Sequence, residues 1–395
     1  MSPGTPLGRL EFSEEIAEIA GRLEQAGHET WCVGGALRDR LLGHPADDVD
    51  LATAADPETV QKLFPRTVAV GVRFGTVGVL DRKRVLHEVT TFRRDVATDG
   101  RRAVVEYGAS LEEDLARRDF TINALAYHPL RHEWKDPFAG AADLADGIIR
   151  AVGDPEARFR EDYLRILRAL RFSARFGFAI EPGTWRAAKA LSGGLEGLSA
   201  ERVRDEWFKG LETARSVARL VTLWQEAGAA ARWIPELRER YPLAAGDPRP
   251  RDPVLLTVAV CEAPAGVVAR LRGSSLEIAR AAAAAKGPPA PAVDTREAVR
   301  RWLAATGAAA DDLLLLDEWR RGAPAPWRAA VESVRAAGEP VSRGTLAVRG
   351  DDLLAAGVAR GPEIGRLLDR LLDAVLADPA LNSRDRLLAL VASWR

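Results

Sequence analysis

The sequence is poor in the residues that build disulfide and zinc scaffolds. Two cysteines in 395 residues, Cys32 and Cys261, give no disulfide framework and no zinc site. Five scattered histidines, at 28, 44, 87, 128 and 132, are not expected to form one either, and none is followed by Asp, which argues against a fused metal phosphohydrolase domain. No apolar run approaches the length of a membrane span. The N-terminal MSPGTPLGRLEF has no apolar core of signal-peptide length, so a cytoplasmic location is expected. A basic excess is missing too: 56 Lys and Arg face 57 Asp and Glu, for a net charge of −1. Any contact with nucleic acid therefore rests on local positive surface and not on global charge. The basic residues are mostly Arg.

What is present is an ordinary globular balance, 47% apolar and 29% charged. The length predicts two to four packing units. Residues 13–26 read as a helix with apolar Ile16, Ile19, Ala20 and Leu23, and ETWCVGG reads as a strand entering a glycine turn. ALRDRLLG reads as a helix starting at those glycines, and DDVDLAT, FGTVGVL and VLHEVTTF read as strands. Residues 93–118 are polar, broken at Asp99-Gly100, and predict an excursion from the sheet that ends in a helix. After about residue 150 the strand pattern gives way to helices, with breaks at 242–253 and 287–293 and an alanine run at 281–285 read as helix.

Asp48 and Asp50 stand two apart near the start of a predicted strand, where alternate side chains share a face. Two such carboxylates suit Mg²⁺, which takes hard oxygen ligands and completes its shell with water and substrate phosphates. Glu88, in a second predicted strand, is a third candidate carboxylate. Together they are the catalytic candidates, with Asp48 and Asp50 as the metal ligands; phosphoryl transfer on paired cations needs this kind of arrangement. An isolated Asp-x-Asp is more often an acidic turn, so context carries the assignment. Gly34 and Gly35 supply it: paired glycines between strand and helix let backbone approach phosphates, and Arg38 follows one turn into the helix. Residues 158–175 read as one helix, with Ile166, Leu167 and Leu170 on one arc and Arg165, Arg168, Arg171 and Arg175 on the other, Asp162 at its edge. With Glu161 and Asp162 as the only local acids, that arc predicts unpaired positive charge suited to triphosphate or RNA.

The stretch VGGALRDRLLGHPADDVDLAT resembles the signature of the tRNA nucleotidyltransferase (CCA-adding enzyme) and bacterial poly(A) polymerase family, the class II members of the DNA polymerase β-like nucleotidyltransferases. Further segments match in order: Arg117-Arg118-Asp119-Phe120-Thr121-Ile122-Asn123-Ala124, then DLADGIIRAVG at 143–153, then Glu161-Asp162-Tyr163-Leu164-Arg165 followed by Arg168, Arg171 and Phe172, then Glu201-Arg202 with Glu206. The likeness is dense over roughly residues 30–210 and thinner beyond, although RGDDLLAAGVARGPEIGRLLDRLL is similar to the C-terminal tail of many members.

The resemblance implies an α+β fold: a small mixed β-sheet nucleotidyltransferase head over 1–150, a neck that recognises the nucleotide base over 151–215, a helical body over 216–290 and a helical, tRNA-binding tail over 291–395. It implies template-independent addition of CMP and AMP, from CTP and ATP, to the tRNA 3′ end, with Mg²⁺ as cofactor and pyrophosphate released. The implied nucleotide-binding residues are Gly34, Gly35, Arg38, Arg118, Asp162, Arg165, Arg168 and Arg171. Asp162 and Arg165 would pair with the edge of the incoming base, whereas Asp119 and Asn123 are expected to be structural. Val70-Gly71-Val72-Arg73-Phe74-Gly75-Thr76 resembles the tRNA enzymes more than the poly(A) polymerases, and the 93–118 excursion, with Asp95 and Asp99-Gly100-Arg101-Arg102, resembles the flexible loop needed for the final A. Full CCA addition is therefore expected. A-only and CC-only addition come next, then poly(A) synthesis, then an RNA-binding module on an inactive scaffold. In the body, Arg238 with Arg240 and Arg249 with Arg251 are candidate phosphate contacts, equally readable as surface charge.

Overall fold

The computed structural model describes residues 7–46, 48–71, 75–98, 103–240, 243, 250–291 and 293–394, without the side chains of 95–98 and 103–105. Asp47, Val72, Arg73, Phe74, Asp99, Gly100, Arg101, Arg102 and Arg249, and the side chain of Asp95, lie outside the described residues. The chain folds as two compact units, Met1–Pro235 and Glu236–Arg395.

The first unit opens with α1 (Glu14–Gln25), β1 (Thr30–Val33), α2 (Gly35–Leu41), β2 (Asp50–Thr53) and α3 (Pro57–Leu63). Then come β3 (Thr67–Gly71), β4 (Thr76–Leu80), β5 (Leu86–Thr91), β6 (Arg93–Thr98), β7 (Ala103–Tyr107) and α4 (Leu111–Ala116). The strands β8 (Ala126–His128) and β9 (Glu133–Lys135), helix α5 (Gly140–Asp146) and β10 (Ile148–Ile149) follow. A seven-stranded mixed sheet in the order β3-β4-β5-β2-β1-β8-β9 forms the frame. Strand alternation sends Cys32, Leu51, Val77 and Val89 into one core with Ile16, Ile19 and Leu23 of α1 and Leu37 of α2. The other face packs Trp31, Val33 and Ala52 against Phe92, Leu111, Leu115 and Ala124. That second face carries Asp50, because Asp50 pairs opposite Val33 and alternates with Leu51.

The excursion predicted at 93–118 is more ordered than expected. Strands β6 and β7 form a separate two-stranded antiparallel sheet. The residues that join them, 99–102, lie outside the described residues. Helix α4 follows, closed by a capping box in which Ser110 and Glu113 each bond the other's backbone N–H.

Next come α6 (Pro155–Glu161), α7 (Leu164–Phe176), β11 (Ala179–Ile180), α8 (Pro182–Ala190), α9 (Ala200–Thr213), α10 (Val217–Glu226) and α11 (Ala229–Trp233). The single helix expected over 158–175 is two helices. Asp162 is extended, at φ −155°, and its carboxylate accepts from the Leu164 N–H, so a capping acid ends one helix and starts the next. A second departure is β11, a two-residue strand parallel to β10, although no strand was expected after residue 150. The second unit is helical among its described residues, from α12 (Pro253–Val260) through α13 (Pro264–Arg270) and α14 (Ser275–Lys286), which takes up the alanine run, to a last helix over Arg384–Trp394. Among the described residues no helix is long and apolar enough to cross a membrane.

Candidate active site

A cavity of about 620 Å³ lies in the first unit, lined by the β1–α2 turn, strands β2, β4 and β5, the α4 segment, and α7 and α9. Of the candidate catalytic and nucleotide-binding residues, Gly34, Gly35, Arg38, Asp50, Glu88, Arg118, Asp162, Arg165, Arg168 and Arg171 line it, and so do Arg117, Asp119, Asn123 and Arg175. Asp48 does not: strand β2 begins at Asp50, so Asp48 lies two residues before it and is exposed. Strand alternation therefore does not place Asp48, and its link to the cavity is the charge it adds beside Asp50.

The turn at Gly34 fits only glycine. Its φ of 85° and ψ of −150° are closed to residues with a side chain. A Cβ there would also sit 3.2 Å from Asp50 Oδ2 and 3.3 Å from Arg118 Nη1. Glycine thus lets the backbone turn touch a carboxylate and a guanidinium at once. We expect Gly34→Ala to lower melting stability by about 1–2 kcal/mol and turnover by at least about tenfold. Unchanged melting and kinetics would show that the turn tolerates a side chain.

Parallel pairing of Leu51 with Val89 carries Asp50 alongside Glu88, and Glu88 shares its face with Thr90. Burial, then the neighbouring Glu88 charge, raise the Asp50 carboxyl to about 6; Asp48 adds to this and Arg118 opposes it. An acid held that high in so negative a field is suited to a cation. Among the described residues no three acidic, histidine or cysteine side chains converge as a closed metal cage. An open site of one or two carboxylates plus substrate phosphates is the arrangement Mg²⁺ favours.

The arginine stripe is not unpaired, contrary to the expectation from its local sequence. Arg168 Nε donates to Asp119 Oδ2 at 2.7 Å, Arg171 Nε to Glu206 Oε2 at 2.6 Å, and Arg175 Nη2 to Asp39 Oδ2 at 2.9 Å. The partners come from the chain before β8 and from α9, which a count of acids within one helix cannot register. Arg38 is buried: its Nε donates to Asp39, its Nη1 to Asn123, and its guanidinium lies 5.0 and 4.8 Å from the Phe172 and Phe176 ring centres. Burial lowers its pKa. It reaches the cavity wall, but its Nη1 ties α2 to the Asn123 turn and its guanidinium packs on the α7 rings Phe172 and Phe176.

Asp119 and Asn123, expected to be structural, form a hydrogen-bonded node at the cavity wall. Asp119 accepts from the Phe120 N–H at 2.8 Å, the Asn123 amide at 2.9 Å and Arg168. Burial alone would raise its pKa, but Arg168 and these donors outweigh it and bring it to about 2. A folded-state pKa below the unfolded value means stability present above about pH 4 and lost as pH falls through 2. The loss is about 2 kcal/mol. Wild-type melting should fall over that interval more steeply than that of Asp119→Asn; parallel curves would refute the pairing.

At the far wall Asp162 accepts from Arg202 Nη2 at 2.7 Å, while Arg165 donates to Glu161 at 2.6 Å and to the Arg117 carbonyl at 2.9 Å. The two residues expected to read a base are thus held in place by the protein. Sequence reasoning gave no role to two further lining residues. Asp114 is buried and pairs with Arg117 and Arg118 at 2.9 and 3.3 Å; its i+3 and i+4 spacing from them was the available signal. Arg202 meets Asp162 across 40 residues, and only its place in the Glu201-Arg202 motif marked it.

The family described as Poly A polymerase head domain matches residues 30–150, and one described as a probable RNA and SrmB-binding site of polymerase A matches 177–240. The CCA-adding enzyme of Leuconostoc mesenteroides is 51% identical over 195 residues, 48% of each chain. That of Streptococcus pneumoniae is 48% identical over 201 residues, 50% of each. These matches span about half the length of the curated relatives. The CCA-adding enzyme of Bacillus stearothermophilus, solved in complex with CTP, superposes with a TM-score of 0.82 at 34% identity over 96% of both chains. The chain belongs to the family of CCA-adding tRNA nucleotidyltransferases and poly(A) polymerases.

Proposed function

We propose that this chain adds CMP and AMP, taken from CTP and ATP, to the 3′ end of tRNA. The observation that carries the proposal is the convergence, in one cavity, of the Gly34 turn, the Asp50–Glu88 carboxylates and the Asp162–Arg165 wall. The tRNA 3′-hydroxyl oxygen bonds to the α-phosphate, the bond from that phosphate to the β-phosphate bridge breaks, and pyrophosphate leaves. The hydroxyl proton passes to Glu88, the carboxylate of the pair not assigned to the cation. Mg²⁺, held by Asp50 and Asp48, would supply charge neutralisation for the phosphates and favour ionisation of the hydroxyl. Gly34 and Gly35 let the backbone close on the triphosphate, and Arg118, fixed by Asp114, faces the same turn. Catalysis is then positioning plus electrostatics.

Asp162 accepts a hydrogen bond from an exocyclic amino group and Arg165 donates to ring acceptors, a pattern that cytosine and adenine satisfy and uracil and guanine do not. The division into head (1–150), neck (151–215), body (216–290) and tRNA-binding tail (291–395), and a cytoplasmic site of action, belong to the same reading. The test is incorporation of labelled CTP and ATP into tRNA stripped of its 3′ CCA. Two CMP and one AMP per tRNA, abolished by chelation of divalent cations, are expected. Retained tRNA binding without incorporation would leave an RNA-binding module on an inactive scaffold.

A further inference from the structure

The sheet face that bears Glu88 continues beyond the carboxylates into exposed apolar surface. On β5, Leu86 alternates with Glu88 and Thr90, so the three share a face. On β4, Gly78 lies opposite Glu88 and Thr76 opposite Thr90, with their hydroxyl oxygens 3.0 Å apart. On the edge strand β3, Val68 lies opposite Gly78, and Val70 falls on the same side. A Cβ on Gly78 would lie 2.6 Å from Leu86 and 2.8 Å from Val70, so these two side chains lean together over the glycine. Val68, Val70 and Leu86 remain 44%, 45% and 39% exposed. Three large apolar groups thus sit uncovered, Leu86 on the same strand as Glu88 and Val68 and Val70 two strands away.

We infer that this platform seats the 3′-terminal nucleoside of the acceptor RNA; the inference rests on the function proposed above. Nucleotidyl transfer is an in-line displacement, so the attacking hydroxyl enters opposite the departing pyrophosphate. The Gly34 turn and Arg118, which the proposed function gives to the triphosphate, lie on the β1 side of Asp50. The acceptor must then approach across β5, β4 and β3, the opposite end of the row. Two strand spacings, about 10 Å, match the reach of one nucleoside. The cavity ends beside the platform: Glu88, Thr76 and Thr90 line it, and Leu86 and Gly78 are the next residues of that face along β5 and β4. The chemistry fits as well. Successive additions present different terminal bases at one place, and apolar contact with a ribose and a base face holds any of them, whereas a hydrogen-bonding edge would select one.

The test uses Val70→Glu and Leu86→Glu, both at exposed positions, with a tRNA acceptor ending at the discriminator base. The KM for tRNA should rise at least about tenfold, with equilibrium CTP binding within about twofold of wild type and no new use of UTP or GTP. Val70→Ile and Leu86→Met should restore wild-type KM. In parallel, a photoreactive phenylalanine at position 86 should crosslink to the terminal nucleotide of the acceptor. Unchanged KM in both Glu variants, equal loss of CTP binding, or a crosslink only to internal nucleotides would overturn the assignment. Failure of the unmodified chain to extend any acceptor would instead strike the proposed function.

Discussion

Replacing Asp50 by Asn should leave a folded protein whose turnover is at least about a thousandfold slower. The substitution keeps the shape of the side chain and removes one negative charge from the place where phosphate, cation and attacking hydroxyl meet. Removal of a single preorganised electrostatic group typically costs about 10²–10³ in rate, and a ligand shared with a cation sits at or beyond the upper end. The same variant should be the more stable one without divalent cation. Burial and Glu88 raise the folded-state pKa of Asp50 to about 6, above its ordinary value of 3.8. A carboxylate with a raised folded pKa penalises the fold once ionised, fully so above about pH 6 and not below about pH 4. Asparagine removes that penalty, so metal-free melting at pH 7.5 should rise by up to about 3 kcal/mol. Activity and stability moving in opposite directions is the signature of charge concentrated for function. Near-normal turnover in Asp50→Asn would refute the assignment, and a loss of both properties would make Asp50 merely structural.

The second large effect concerns nucleotide choice. Arg165→Ala should narrow the preference for CTP over UTP by at least about a hundredfold in kcat/KM while tRNA affinity changes less than about threefold. A site built to hydrogen-bond one base edge rejects others by leaving buried groups unpaired, and that penalty disappears with the reader. Asp162 demands a subtler variant. Its carboxylate also caps α7 through Leu164 and pairs with Arg202. Asp162→Ala would mix a lost cap, worth about 1 kcal/mol, with lost recognition. Asp162→Asn keeps an acceptor for the Leu164 N–H and alters the hydrogen-bonding sense at the other atom, so it separates the reading function from the helix cap. Discrimination against UTP and GTP unchanged in both Arg165→Ala and Asp162→Asn would end the base-reading role.

The parts legible in sequence were those set by local pattern. The alternation of VLHEVTTF put Glu88 on the cavity face of β5, and the glycine pair predicted a turn that Gly34 makes at positive φ. The ion-pair frame was not legible. Arg168 finds Asp119 across 49 residues, Arg171 finds Glu206 across 35, and Arg175 finds Asp39 across 136. Helical periodicity reports which face a residue occupies and not what tertiary packing brings against it. The break at Asp162 escaped for a related reason: an acid inside an amphipathic pattern reads as a surface charge until its carboxylate is seen to cap the next helix. The position of Asp48 is not legible, because Asp-x-Asp alternation looks the same whether pairing begins at 48 or, as it does, at 50.

The most direct test of the central claim extends three tRNAs, ending at the discriminator base, at C and at CC, with each nucleoside triphosphate supplied separately in Mg²⁺. One cavity that transfers nucleotides and reads their bases through Asp162 and Arg165 should add CMP to the first two and AMP to the third, with UTP and GTP unused throughout. Extension of none of the three, or equal use of all four nucleotides, would contradict it.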